Sequence, residues 1–350
     1  MRTAWVNCRH KLFCKNISRR KRAKNTLQKC IYSPKRRNDL KSPFLYSNDN
    51  KRYHTLSYHL KQRFDRRVFK AVIDAGFTCP NLDGSRGFGG CTYCLSGSGD
   101  FTHGADRDVA EQVRMELDRV REKTPGADVI AYFQAHTNTY APLSRLRELY
   151  ESALSVDGVC GLSIATRADA LEQETMDYLA ELSQRTYLTV ELGLQTVHDA
   201  TAERINRCHT YSEFEEAFQA LKSRGIRVCV HLINGLPGET PEMMLESART
   251  VGELEADALK IHLLQIMKGT LMERQLAAGE MIPMTREGYL DVVCSQLEVL
   301  PPETVIERIT GDGAHDKLIA PRWGVDKIAV LGGIDHSLVQ KDTWQGKRYP

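Results

Sequence analysis

From residue 68 onward, short runs rich in β-branched and aromatic residues alternate with longer stretches whose apolar side chains recur every three or four positions. Residues 68–76, 129–134, 160–166, 187–192, 226–233 and 258–264 read as six strands. Between them, Val109, Val113, Leu117 and Val120 share one face of a first helix, and Leu143, Leu146, Leu149 and Tyr150 share one face of a second. Met176, Leu179 and Leu182 mark a third, and Phe214, Phe218 and Leu221 a fourth. A fifth opens with Thr240 as N-cap and Pro241 at the first helical position, where a missing N–H costs nothing. This alternation predicts an α/β chain with a parallel sheet, open or curled into part of a barrel. Beyond Leu264 the pattern changes: residues 270–278 and 285–299 read as helices, and Pro301-Pro302 then breaks the chain.

The strands are unusual in their polar positions. Alternate residues of a strand share a face, and the inside of a parallel barrel is normally filled by Val, Ile and Leu. Here Tyr132 and Gln134 alternate on the second strand, Ser163 and Arg167 on the third, and Thr189 and Glu191 on the fourth; His231 lies on the fifth, Lys260 and His262 on the sixth. A single buried histidine is commonly a satisfied core residue. Five strands in agreement predict a lumen that holds water, a polar cofactor or a substrate, because unpaired polar groups are costly to bury. The structural alternative is that Lys260 and His262 simply satisfy Glu191.

Composition bounds the rest. With 350 residues and 41% hydrophobic content the chain can build a sizeable core, and no apolar run reaches the length that spans a bilayer. The net charge of +3 averages two unlike parts: residues 1–37 carry 13 Lys and Arg and no Asp or Glu, while the remainder holds 35 basic against 45 acidic side chains. An acidic body argues against broad attraction to nucleic acid. A local basic run (Lys51, Arg52, Lys61, Arg63, Arg66, Arg67, Lys70) with Tyr53, Tyr58, Phe64 and Phe69 beside it reads either as a solvated face or as a surface for unpaired bases. Ten cysteines without a signal-peptide core suit a reducing cytoplasm, and Cys160, Cys208, Cys229 and Cys294 read as packed thiols. Residues 1–42, polar and aperiodic, are expected to form a disordered basic leader. An organelle transit peptide, an RNA-touching arm or a start codon placed upstream of the true one would explain the same composition.

The candidate chemistry is concentrated in residues 79–94, where eleven residues separate Cys79 from Cys91 and two separate Cys91 from Cys94. Pro80 and the loop's glycines keep this stretch out of helix and strand. A structural zinc site wants four closed ligands, and no fourth cysteine follows nearby. Iron–sulfur clusters that only carry electrons are generally held by four cysteines, so three leave one iron open. Other uses of a glycine-rich loop fail: position 92 is Thr where a dinucleotide fingerprint needs Gly, and no Gly-x4-Gly-Lys-Ser/Thr occurs.

Cys79-Pro80-Asn81, Asp83-Gly84 and Gly89-Gly90-Cys91-x-Tyr93-Cys94 resemble the cluster loop of the radical S-adenosylmethionine (SAM) superfamily, and more narrowly a bacterial branch related to the catalytic subunit of the elongator complex. Further stretches agree in order, among them Ile205-Asn206-Arg207, Gly235-Leu236-Pro237-Gly238-Glu239 and Arg308-Ile309-Thr310-Gly311, so that the resemblance covers roughly residues 43–345. Ala168, Ala170 and His136 depart from that branch. The resemblance implies a partial (β/α)6 barrel over residues 43–270 and a short α-rich C-terminal extension over 271–350 that covers the barrel, with no room for an acetyltransferase domain. It implies that Cys79, Cys91 and Cys94 hold a [4Fe–4S] cluster whose fourth iron takes SAM, and that one-electron cleavage yields a 5′-deoxyadenosyl radical. By the same resemblance Tyr93, Gln134, Thr137, Arg167, Glu191 and the turn of Asn234, Gly235, Pro237 and Gly238 would bind SAM, with Arg167 pairing bidentately with its carboxylate and Glu191 on the ribose. Lys260 and His262 are left for the substrate. The expected substrate is the C5 side chain of the wobble uridine in tRNA, with an electron donor such as flavodoxin or ferredoxin and no membrane. The alternatives are a radical SAM enzyme acting on a small molecule or protein, and a non-enzymatic iron–sulfur or zinc module.

Overall fold

The computed structural model describes residues 44–95, 102–311 and 316–350, so the basic leader lies outside the described residues. A short helix, α1 (Leu56–Phe64), precedes the first strand; Thr55 caps it by accepting from the Tyr58 N–H. Its one buried residue, Leu60, gives no apolar stripe, and periodicity therefore misses it. The six expected strands follow: β1 (Val68–Ile73), β2 (Asp128–Phe133), β3 (Val159–Thr166), β4 (Tyr187–Gln195), β5 (Arg227–Asn234) and β6 (Ala258–Leu263). Helices α2 (Val109–Lys123), α3 (Leu143–Leu154), α4 (Gln173–Arg185), α5 (Asp199–Arg204), α6 (Tyr211–Ser223) and α7 (Pro241–Glu253) connect them. Thr240 caps α7 as expected, with Pro241 in its first turn.

Why the helices settle on one face of the sheet is visible in the burial. Val113, Leu146, Leu179, Leu182, Phe214 and Phe218 pack against Ile73, Phe133, Ile164, Val190 and Val230, forming one core on the outside of the sheet. Phe214 and Phe218 are fully buried, and truncating either to alanine costs about 3–5 kcal/mol. The residues that alternate with these strand positions point the other way, into the lumen.

Beyond β6 come β7 (Ile266–Met267), α8 (Leu271–Ala277), α9 (Arg286–Val299), β8 (Val305–Arg308), β9 (Leu318–Ala320) and α10 (Lys327–Gln340). The extension is thus not purely helical: β8 joins the sheet beside β6, completing a seven-stranded order β1-β2-β3-β4-β5-β6-β8, every pair parallel. Four residues are too few to display a period, which hides this strand from pattern reading. The sheet is strongly curled. In a flat seven-stranded sheet the outer strands would stand about 29 Å apart, yet Lys70 on β1 reaches Glu307 on β8 at 2.6 Å. The two edges do not pair directly. Helix α1 sits at the gap, with Leu56 against Val305 and the Ile306 N–H donating to the His54 carbonyl. The result is a parallel half-barrel with a helical C-terminal part. Among the described residues no helix is long and apolar enough to cross a membrane.

Candidate active site

The cysteine loop leaves β1 at its C-terminal end and is held by a lattice of amide contacts. Gly89 and Gly90 take φ of 77° and 75°, a region that side chains disfavour, and this lets the Gly90 N–H donate to the Asn81 carbonyl at 2.8 Å. Asn206, after α5, donates to the Phe88 and Gly90 carbonyls at 3.0 and 2.8 Å, and Asn81 returns a bond to the Asn206 carbonyl at 2.5 Å. Two asparagines therefore pin the loop across the mouth of the barrel. The Asn81 amide also lies 3.7 Å from the Cys91 sulfur.

Cys79, Cys91 and Cys94 share the wall of one cavity of about 260 Å³ with Tyr93, Gln134, Thr137, Arg167, Glu191 and His262. Most of these side chains come from the C-terminal ends of parallel strands or the turns that follow, where the ends of a half-barrel converge. Two arginines stand behind the thiols. Arg207, buried, points Nη1 at the Cys91 sulfur at 3.8 Å and donates from Nη2 to the Gly193 carbonyl at 2.5 Å. Arg167, also buried, holds Asp169 through Nε and Nη2 at 2.8 and 2.7 Å. The bidentate fork expected to meet an external carboxylate is therefore occupied by Asp169, and Nη1 is the nitrogen left without a partner. Burial pushes the Cys91 thiol up, but Arg207 and Arg167 outweigh it and bring its pKa below the usual value. Cys94 is exposed at the edge of the wall, and desolvation by the surrounding protein, with Cys91 and Cys79 adding to it, raises its thiol above the usual value.

Below the thiols lies an ion network. Glu191 is fully buried and accepts from Lys70 at 2.5 Å, Ser163 at 2.5 Å, His231 at 2.9 Å and Lys260. Lys260 also donates to the Tyr132 hydroxyl at 3.0 Å, and Lys70 holds Glu307 as well. Burial alone would raise the Glu191 carboxyl; Lys260, Lys70 and His231 hold it well below the usual range. The four partners take the positions at which Glu191 was expected to meet a ribose. Lys260 is likewise committed to this network and does not line the thiol cavity, whereas His262 does, with Nε2 buried and without a partner. Burial, then His231, lowers the His262 pKa well below its ordinary value, so the ring is neutral.

The turn at 234–238 is elsewhere. Asn234 exchanges two bonds with Gln296 at 2.8 and 2.9 Å, Arg204 donates to the Pro237 carbonyl at 3.0 Å, and none of Asn234, Gly235, Pro237 and Gly238 lines the thiol cavity. Three contributors escaped the pattern reading. Lys70 was counted with the basic surface run but turns into the lumen, and Asn81 and Arg207 sit in loops where no period operates. The run itself is not a free face: Lys51 pairs with Asp335, Arg52 with Asp342 at 3.1 Å and Arg66 with Asp128 at 2.6 Å. Its aromatics are also occupied, Tyr53 being buried and Phe64 packed edge-on against Tyr187.

The donor set discriminates between metal groups. Among the described residues no trio of His, Cys, Asp or Glu converges on a point that one ion could fill, as zinc would require with sulfurs at about 2.3 Å. Three thiols spread along one wall suit a larger iron–sulfur group. The unpartnered nitrogens of Arg167 and Arg207 suit a carboxylate-bearing ligand beside it.

Comparison with known proteins agrees. Sequence models of the radical SAM superfamily and of the radical SAM C-terminal domain match residues 85–251 and 256–340. The chain is 50% identical to the Bacillus subtilis protein YtqA over 307 residues, covering 87% of this chain and 95% of that one. It is 28% identical to a tRNA uridine(34) acetyltransferase of Methanocaldococcus jannaschii over 154 residues, 43% of this chain and 28% of the relative. In fold it is similar to the archaeal Elp3 of Methanocaldococcus infernus, with a TM-score of 0.63 at 19% identity, covering 79% of this chain and 64% of that structure. Fold, thiol cavity and sequence similarity lead to one conclusion: the chain belongs to the radical SAM superfamily of enzymes, which use a [4Fe–4S] cluster and SAM.

Proposed function

We propose that Cys79, Cys91 and Cys94 hold the cluster, that SAM lies against the same wall, and that the enzyme acts on the C5 side chain of the wobble uridine in tRNA. The observation that carries the first part is the placement of the three thiols on one cavity wall with a partnerless buried Arg167 Nη1 and the Arg207 guanidinium behind them. When bound, the pair supplies one-electron cleavage of the SAM sulfonium, with the electron delivered by a reduced donor protein of the flavodoxin or ferredoxin kind in the cytoplasm. This chain's residues position and polarise. Arg207 and Asn81 donate toward the Cys91 sulfur; Arg167 would hold the SAM carboxylate through Nη1, Gln134 and Thr137 would hold its amino group, and Tyr93 would lie beside it. His262, with a buried Nε2 that has no partner among the described residues, is the side chain placed to hydrogen-bond a substrate entering the cavity.

The tRNA part is supported by the similarity to tRNA uridine(34) acetyltransferases, which spans less than half of this chain. It gains little from the basic run, in which Lys51, Arg52, Arg66 and Lys70 and the rings of Tyr53 and Phe64 are engaged within the protein. Two measurements test the reading. Anaerobically reconstituted protein should carry four irons and cleave SAM with dithionite, and Cys79→Ala, Cys91→Ala and Cys94→Ala should each lose both; four irons retained in all three variants would remove the assignment. Nucleoside mass spectrometry of tRNA from a deletion strain should show a changed wobble-uridine profile that wild type restores and Cys91→Ala does not. An unchanged profile would transfer the chemistry to a small molecule or a protein.

A further inference from the structure

A second cavity, about 540 Å³, lies on the β1–β8 side of the lumen where β1 begins, with the Glu191 network between it and the thiols. Its volume falls within the range of small-molecule sites, roughly 300–1,000 Å³. Six cations line it: Lys61, Arg66, Arg67, Lys70, Lys260 and Arg308. Glu307 is the carboxylate in the same wall. Setting Arg308 aside, and counting also Asp128, which holds Arg66, and Glu191, which holds Lys70 and Lys260, Lys61 and Arg67 remain as positive charges in excess. Among the described residues neither Lys61 nor Arg67 meets an acidic side chain, and both are exposed at the cavity's edge.

A concave wall of one sign focuses its field and raises the local concentration of the opposite ion. The same wall carries an apolar shelf of Leu56, Leu60, Val68 and the half-buried Phe69, with Asn48 and Ser57 as its uncharged polar side chains. Strong positive charge beside an apolar shelf suits a ligand with two or more negative charges on a flat or apolar body. Residues 1–37, basic and without Asp or Glu, have the wrong sign to fill it. We infer that this cavity binds a phosphorylated small molecule of nucleotide size, with its phosphates on Lys61 and Arg67 and its body against Phe69. The site lies outside the thiol cavity, with Arg308 lining both, and does not depend on which substrate that cavity takes.

Calorimetric titration of the full chain with inorganic pyrophosphate and with ADP tests this. Both should bind saturably at one site, and Lys61→Glu and Arg67→Glu should each weaken both at least tenfold. The melting temperature and SAM cleavage should be unchanged in these variants, since both positions are exposed and remote from the thiols. Saturating S-adenosylhomocysteine should leave ADP binding within twofold, because it occupies the other cavity. The inference is overturned by the absence of saturable binding of either probe, by indifference to both charge reversals, or by displacement of ADP by S-adenosylhomocysteine. Binding of a short RNA that neither small probe can compete away would overturn it too, since the cations would then form a nucleic-acid surface.

Discussion

Replacing Glu191 with glutamine keeps the shape of the side chain and removes its charge, leaving Lys70 and Lys260 in the lumen with Glu307 as the carboxylate still beside Lys70. Removing one partner of a buried ion pair costs about 3–5 kcal/mol, because the charge left behind is unsolvated. The two lysines differ in how far they escape this. The Lys70 side chain is 16% exposed and can turn toward the lower cavity, whereas Lys260 at 3% has, among the described residues, only Tyr132 left to accept from it. The lower end of the range, about 3 kcal/mol, is therefore expected, and in a chain of this size that lowers the melting temperature by roughly 4 °C. Scanning calorimetry at neutral pH measures the shift. Glu191→Gln combined with Lys260→Met should cost less than the two single changes added together, since the double variant no longer strands a charge. The carboxyl is held low, so its contribution is present above the unfolded value near 4.3 and fades as pH falls below it. A variant that melts within a degree of wild type but binds SAM at least tenfold more weakly would refute this reasoning and return Glu191 to the role of a ribose contact.

Two further outcomes follow from the same electrostatics. Arg207→Gln removes a positive charge aimed at the Cys91 sulfur, so the reduction potential of the reconstituted cluster should become more negative by on the order of 60 mV, a tenfold change in a one-electron equilibrium; spectroelectrochemical titration reads this, and an unmoved potential would leave Arg207 a purely structural brace. Burial, and then Arg227, lowers His59 to about 4. Between pH 6.5 and that value the unfolded chain binds the extra proton, so stability should decline on acidification by at most about 1.4 kcal/mol per pH unit for this residue, and His59→Asn should flatten the pH profile of the melting temperature.

Much of this molecule is legible along the chain because its signals are local. Whether residues 129–134 make a strand, or Thr240-Pro241 starts a helix, depends on neighbours a few positions away. The three thiols declare themselves by spacing within sixteen residues, and the polar positions on five successive strands announce a wet lumen before any coordinate is known. What pattern could not settle was which polar groups face each other. Glu191 looks the same in sequence whether it waits for a ribose or is closed in by Lys70, Ser163, His231 and Lys260; strand pairing sets β3 and β5 beside it, and only the curl of the sheet brings Lys70 and Lys260 across to it. The same curl turns Lys70 inward from an apparently surface run and sets it against Glu307, some 237 residues away. It also admits β8, whose four residues carry no period of their own. Short-range preferences specify elements, whereas ion pairing across a lumen is decided by long-range packing, and the burial that makes such pairs strong exists only once the barrel has curled.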